Sequence, residues 1–81
     1  MSDIRDRLTK HLVHELYFDD PNARIGAGED LFELGLDSMS IHRLVVFLER
    51  AFGARIPDSD VVAANFRTLE AVEDLVKKRG R

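Results

Sequence analysis

The chain has 81 residues, 44% of them hydrophobic and 33% charged, with a formal net charge of −3 and no cysteine. That length holds one small domain with a modest core. The composition excludes a disordered chain, the acidic balance argues against nucleic-acid binding, and the missing thiols exclude disulfides, thiolate metal sites and a cysteine nucleophile.

No apolar run reaches membrane-spanning length, and the charged start Met1-Ser2-Asp3-Ile4-Arg5-Asp6 lacks the apolar segment of a secretory signal. A cytoplasmic location and no membrane partner are therefore expected. The first helix is predicted from about Asp3 to Tyr17, where Ile4, Leu8, Leu12, Val13 and Leu16 build one apolar stripe. Ser2 or Asp3 can cap it, and Asp19-Asp20-Pro21-Asn22 stops it. A long connection to Asp37 follows, which is uncommon in a compact domain without a function. Its Ile25, Leu31, Phe32, Leu34 and Leu36 can pin it to the helices, and Gly26, Gly28 and Gly35 permit tight turns.

The second helix is predicted from Ser38 to Phe52, with Ile41, Leu44, Val45, Leu48 and Phe52 on one face and Gly53 as its stop. Arg55-Ile56-Pro57 reads as extended, because the residue before proline avoids helical torsions. Asp58 or Ser59 is expected to cap a short helical piece over about Ser59 to Ala64, with Val61 and Val62 reaching the core. Thr68 caps a last helix from Leu69 to Arg79, buried through Leu69, Val72, Leu75 and Val76. No segment alternates with period two, so no sheet is expected. Three long helices, one short helix and an ordered loop between helices 1 and 2 predict an all-α four-helix bundle.

The chemistry concentrates at Leu34-Gly35-Leu36-Asp37-Ser38-Met39. Asp37 or Ser38 can cap the second helix. A cap alone does not explain the apolar Leu34, Leu36 and Met39 around a helix end. A nucleophilic serine would need a base and a group to orient it. His42 lies one turn on, but no Gly-x-Ser-x-Gly elbow or strand is present, so no catalytic residue is assigned. A modified serine fits better, because a helix N-terminus presents N–H groups and a positive dipole end to an attached phosphate.

Together with Asp30-Leu31-Phe32-Glu33, Phe52, Ile56-Pro57-Asp58 and Phe66-x-Thr68, this segment resembles the carrier proteins of fatty-acid, polyketide, peptide and aminoacyl pathways. The resemblance spans essentially the whole chain and implies the four-helix carrier fold. It implies that Ser38 receives 4′-phosphopantetheine from coenzyme A through a separate phosphopantetheinyl transferase. Asp37 would assist that enzyme, and Leu36 and Met39 would form an apolar collar. Cargo would ride as a thioester on the arm, loaded by an acyl- or amino-acid-activating ligase or an acyltransferase and passed to downstream biosynthetic enzymes. The protein would be a carrier and not an enzyme, monomeric and freestanding.

Carriers of fatty-acid synthesis are usually acidic along the second helix. Here Glu49 is its sole acid, against Arg43, Arg50 and the titratable His42, while Asp19, Asp20, Glu29, Asp30, Glu33 and Asp37 face only Arg24 in the loop. Charge complementarity selects partners. The expectation is a specialised polyketide, nonribosomal peptide or aminoacyl pathway ahead of fatty-acid synthesis. A remoter alternative is an unmodified helical interaction domain. His42, Arg43, Val46, Phe47 and Arg50 are candidate docking residues, although Val46 and Phe47 can equally pack beneath the loop. His11 and His14 have metal-ligand spacing without an evident third ligand, so no metal is expected. Lys77-Lys78-Arg79-Gly80-Arg81 reads as a helix end matched to the dipole.

Overall fold

The computed structural model describes residues 3–80. Among these the regular structure is entirely helical: α1 spans Asp3–Tyr17, α2 Ser38–Phe52, α3 Ala63–Phe66 and α4 Leu69–Arg79, with a 3-10 turn at Asp58–Asp60 before α3. The three long helices keep the predicted bounds because their ends are written locally. Asp37 in extended backbone caps α2, and Gly53, left-handed at φ 65°, ends it. The Thr68 side chain accepts from the Ala71 N–H at 3.0 Å and caps α4. Ser2 lies outside the described residues, and Asp3 is already helical.

The core joins all parts of the chain. Leu8 and Leu12 of α1, Leu44 and Leu48 of α2, and Leu69, Val72, Leu75 and Val76 of α4 are buried together with Phe66 and Leu31. Ile4, Leu16, Ile41, Val45 and Phe52 pack partly buried around them. A buried Leu contributes about 1.5–3 kcal/mol relative to an exposed one, so these stripes, rather than propensity, hold the short bundle.

The segment 18–37 is tied down at defined points. The Leu31 N–H donates to the Arg67 carbonyl at 2.7 Å, and the Glu70 N–H to the Ala27 carbonyl at 3.2 Å. Asp30 meets Arg67 at 3.1 Å, and the Arg67 guanidinium lies 5.4 Å from the Phe32 ring centre. These contacts hold the loop against the α3–α4 junction. Its end folds through turns over Asp30–Leu36 (Leu36 N–H to Leu31 carbonyl, 3.0 Å) and delivers Asp37 to the start of α2.

The short helical piece departs from expectation. Instead of one helix over Ser59 to Ala64, the chain makes the 3-10 turn Asp58–Asp60 and then α3 at Ala63–Phe66. Pro57 precedes the turn without a side-chain cap bond, so neither Asp58 nor Ser59 serves as the cap. Val61 and Val62 do not reach the core; they are 38% and 47% exposed. Phe66 fills the core in their place, and Asp60 pairs with Arg79 of α4.

Candidate functional site

Two residues were open as the cap of α2, and the structure chooses Asp37. Its Oδ1 accepts the Ser40 N–H at 2.9 Å and the Ser40 hydroxyl at 3.0 Å. Those two bonds, the backbone one first and then the hydroxyl, hold the Asp37 carboxyl below its ordinary value of 3.8, with the nearby Arg43 charge adding to the effect. Ser40 is buried, whereas Ser38 is exposed as the first residue of α2. The capping duty therefore falls to Asp37 and leaves the Ser38 side chain facing solvent at the positive end of the helix. Ser40 was not singled out in the sequence. Its signal is a hydroxyl three residues after an aspartate cap, where a side chain can return a bond to the cap.

The apolar collar is corrected by half. Met39 is 64% exposed beside Ser38, but Leu36 is only 5% exposed and belongs to the core. Leu36 follows Gly35, whose φ of +112° bends the chain so that the next side chain points inward. A Cβ at Gly35 would stand 4.0 Å from the Leu16 Cδ2, which places this turn against the end of α1.

From Ser38 an open groove of about 700 Å³ runs along α2. Ile41, Val45 and Val46 line it on the α2 side, and Ile56 and Val61 line it on the other. His42 borders it near Ser38, and Glu49 and Asp58 contribute acidic groups. Glu49 lies eleven positions after Ser38, so the groove follows about 16 Å of helix. Val61 is thus a groove residue and not a core one. Ile56, Asp58 and Val61 supply the facing wall, a role that only the packing of distant segments reveals.

The five candidate docking residues fall on different faces. His42 and Val46 line the groove. Arg43 donates to Glu15 of α1 at 2.7 Å. Phe47 stacks on His11 at 4.3 Å between ring centres and meets Phe52 edge-on at 5.8 Å. Arg43 and Phe47 therefore sit in the seam between α1 and α2, while Arg50 is exposed. His14 bonds Asp19 at 2.9 Å, which raises its pKa above the ordinary value, whereas burial lowers that of His11. Among the described residues no group of three His, Cys, Asp or Glu side chains could hold a metal ion. No described helix is long and apolar enough to cross a membrane.

Comparison with known proteins agrees with this architecture. The family described as "Phosphopantetheine attachment site" matches residues 6–76. The chain is similar to Aminoacyl carrier protein 1 of Bradyrhizobium diazoefficiens, with 29% identity over 93% of this chain and 83% of that protein. It is 38% identical to an acyl carrier protein of Zymomonas mobilis, over 75% of this chain and 77% of the relative. With an acyl carrier protein of Bdellovibrio bacteriovorus it shares 31% identity over 89% and 90% of the two chains. An all-helical bundle that displays a serine at a capped helix start, matched by this family along nearly its full length, belongs to the phosphopantetheine-dependent carrier proteins: non-catalytic tethers with a covalent phosphopantetheine group, served by a phosphopantetheinyl transferase and by biosynthetic enzymes.

Proposed function

We propose that Ser38 is the attachment point of the 4′-phosphopantetheine arm and that residues 1–81 work as one carrier domain. The observation that carries this reading is the division of labour at the start of α2: Asp37 makes the cap bonds and Ser38 is exposed beside it. The group fits its surroundings. A phosphate on the Ser38 oxygen would meet the positive end of α2, and the groove beginning at Ser38 offers apolar surface to the arm. In the transfer, the Ser38 oxygen bonds to the pantetheine-side phosphorus of coenzyme A. The bond to the adenosine-side phosphate breaks, adenosine 3′,5′-bisphosphate leaves, and the serine proton passes to a base on the transferase. The arm then supplies the thiol that this cysteine-free chain lacks. Intact mass after incubation with coenzyme A and a broad-specificity transferase tests the assignment. A gain in the wild type that Ser38→Ala abolishes supports it; an equal gain in Ser38→Ala refutes it.

We further infer that the cargo belongs to a specialised pathway with acyl or aminoacyl chemistry rather than to fatty-acid synthesis. Support comes from α2, where Glu49 is the sole acid against Arg43 and Arg50. Glu49 also lies in the groove and away from the Ser38 end. An enzyme shaped for a row of carboxylates on α2 finds little to grip here. The likeness to an aminoacyl carrier protein points the same way. The likeness to two acyl carrier proteins favours fatty-acid synthesis as the second reading. Parallel loading assays with a malonyl transferase and an amino-acid-activating ligase separate the two. Efficient malonyl loading without aminoacyl loading would reverse the preference.

A further inference from the structure

The helices α1 and α2 pack antiparallel through a series of side-chain pairs. Arg7 lies 4.6 Å over the Phe52 ring, His11 stacks on Phe47, and Glu15 accepts from Arg43. Partner numbers fall along α2 as they rise along α1, so the end of α1 comes level with the start of α2. At about 1.5 Å per residue, Tyr17 at the end of α1 stands roughly 3 Å beyond Glu15 and Ser38 at the start of α2 roughly 7.5 Å beyond Arg43, so the two helix ends lie within about 4.5 Å of one height, and Phe18 follows Tyr17 directly. Met39 precedes Arg43 and Phe47 at four-residue spacing and so shares their α1-facing stripe. The closeness of Gly35 to Leu16 fixes the same end of the bundle independently.

Phe18 is 90% exposed and has φ +52°, and Asp19 follows at φ +63°. A residue just past a helix end in left-handed backbone is usually glycine, because a side chain is disfavoured there. The local bonds that hold the turn do not use the ring. The Asp19 N–H reaches the Val13 carbonyl at 3.2 Å, the Asp20 N–H reaches the Tyr17 carbonyl at 3.0 Å, and the Asp19 carboxylate bonds His14. An aromatic that gains no burial, on a backbone that favours glycine, is explained by a contact outside the chain.

We propose that Phe18 is a docking anchor for the phosphopantetheinyl transferase, extending the exposed apolar surface of Met39 across the end of α1. This rests on Ser38 as the attachment point. The transferase must bring the coenzyme A pyrophosphate to the Ser38 oxygen itself, so its surface lies against whatever stands at that height. Enzymes acting on the cargo meet a thiol at the end of a flexible arm and have no such constraint. Asp19 and Asp20 follow Phe18 in the chain, and Asp37 lies two positions before Met39. The matching enzyme face is an apolar socket rimmed by Lys and Arg.

The test is the kcat/KM of coenzyme A-dependent mass gain with a broad-specificity transferase, measured with the melting temperature for wild type, Phe18→Gly and Phe18→Ser. Glycine suits the backbone, so Phe18→Gly is expected to melt at or above the wild type. Its kcat/KM is expected to fall about tenfold through KM, the size of loss typical of one interface aromatic. Wild-type kcat/KM in both variants, or a melting temperature of Phe18→Gly well below wild type, overturns the proposal. A wild-type chain that gains no mass overturns the attachment reading instead, so the two failures are distinguishable.

Discussion

Leu36 and Met39 flank the same aspartate–serine pair, yet truncating them should have opposite consequences. Leu36 is 5% exposed and packs in the core, while Met39 is 64% exposed. Leu36→Ala removes buried methyl groups and leaves a space that a loop tied at Leu31 and Asp30 cannot easily close. The expected loss is about 2–4 kcal/mol. At about 2.1 cal/mol/K of unfolding entropy per residue, the 81 residues carry about 0.17 kcal/mol/K, so each kcal/mol moves the midpoint by about 6 °C. Leu36→Ala should therefore melt about 12–24 °C below wild type. Met39→Ala, a surface change, should stay within about 0.5 kcal/mol, or about 3 °C. Thermal unfolding followed by far-ultraviolet circular dichroism measures the first effect. The rate of coenzyme A-dependent mass gain, taken well below both midpoints, measures the second: Met39→Ala should be slowed, and Leu36→Ala should approach the wild-type rate while it remains folded. Equal melting losses in the two variants would refute the division between core and surface.

Thr68→Ala removes the cap of α4 and should cost about 1 kcal/mol, a fall of about 6 °C, which Thr68→Ser should largely avoid in the same melt. His11, held below its ordinary 6.5 mainly by burial against Phe47, favours the neutral ring in the fold despite the opposing charge of Glu15, while His14 and Arg43 add to the lowering. Because its folded pKa lies below its unfolded one, this contribution is complete above 6.5 and is lost as pH falls through the lowered value. The stability of wild type minus that of His11→Phe should decline with acidification, and a flat difference would count against the burial argument. His14 has the reverse sign, since its raised pKa contributes below 6.5 and is lost as pH rises through the raised value. Arg43→Glu sets two carboxylates together at Glu15, whose side chain is 10% exposed, and should lower the melting temperature more than Arg43→Gln does. Unchanged cargo loading in Arg43→Gln would remove Arg43 from the partner-facing surface.

Much of this site is legible in the chain because its signals are short-range. An aspartate and a serine before a three- and four-residue apolar repeat announce a helix start, and Gly53 and Thr68 mark ends through their own backbone or side-chain chemistry. The short stretch after Pro57 resisted that treatment. Asp58 and Ser59 look like caps, and Val61 and Val62 look like core, but Phe66 takes the interior and leaves the two valines at the surface. Four residues of α3 have too little helical preference of their own to overrule what the neighbouring α4 demands.

Helix limits, the aspartate–serine pair and the absence of chain thiols were determined by the linear order of residues, since caps, periodicity and composition act within a few positions. Which of Asp37 and Ser38 makes the cap, that Leu36 turns inward while Met39 faces out, and that the turn before α2 packs against the end of α1 were decided only by tertiary packing. The reason is that burial is a property of neighbours: Gly35 turns beside Leu16, Arg43 meets Glu15, and those contacts join segments far apart in the chain.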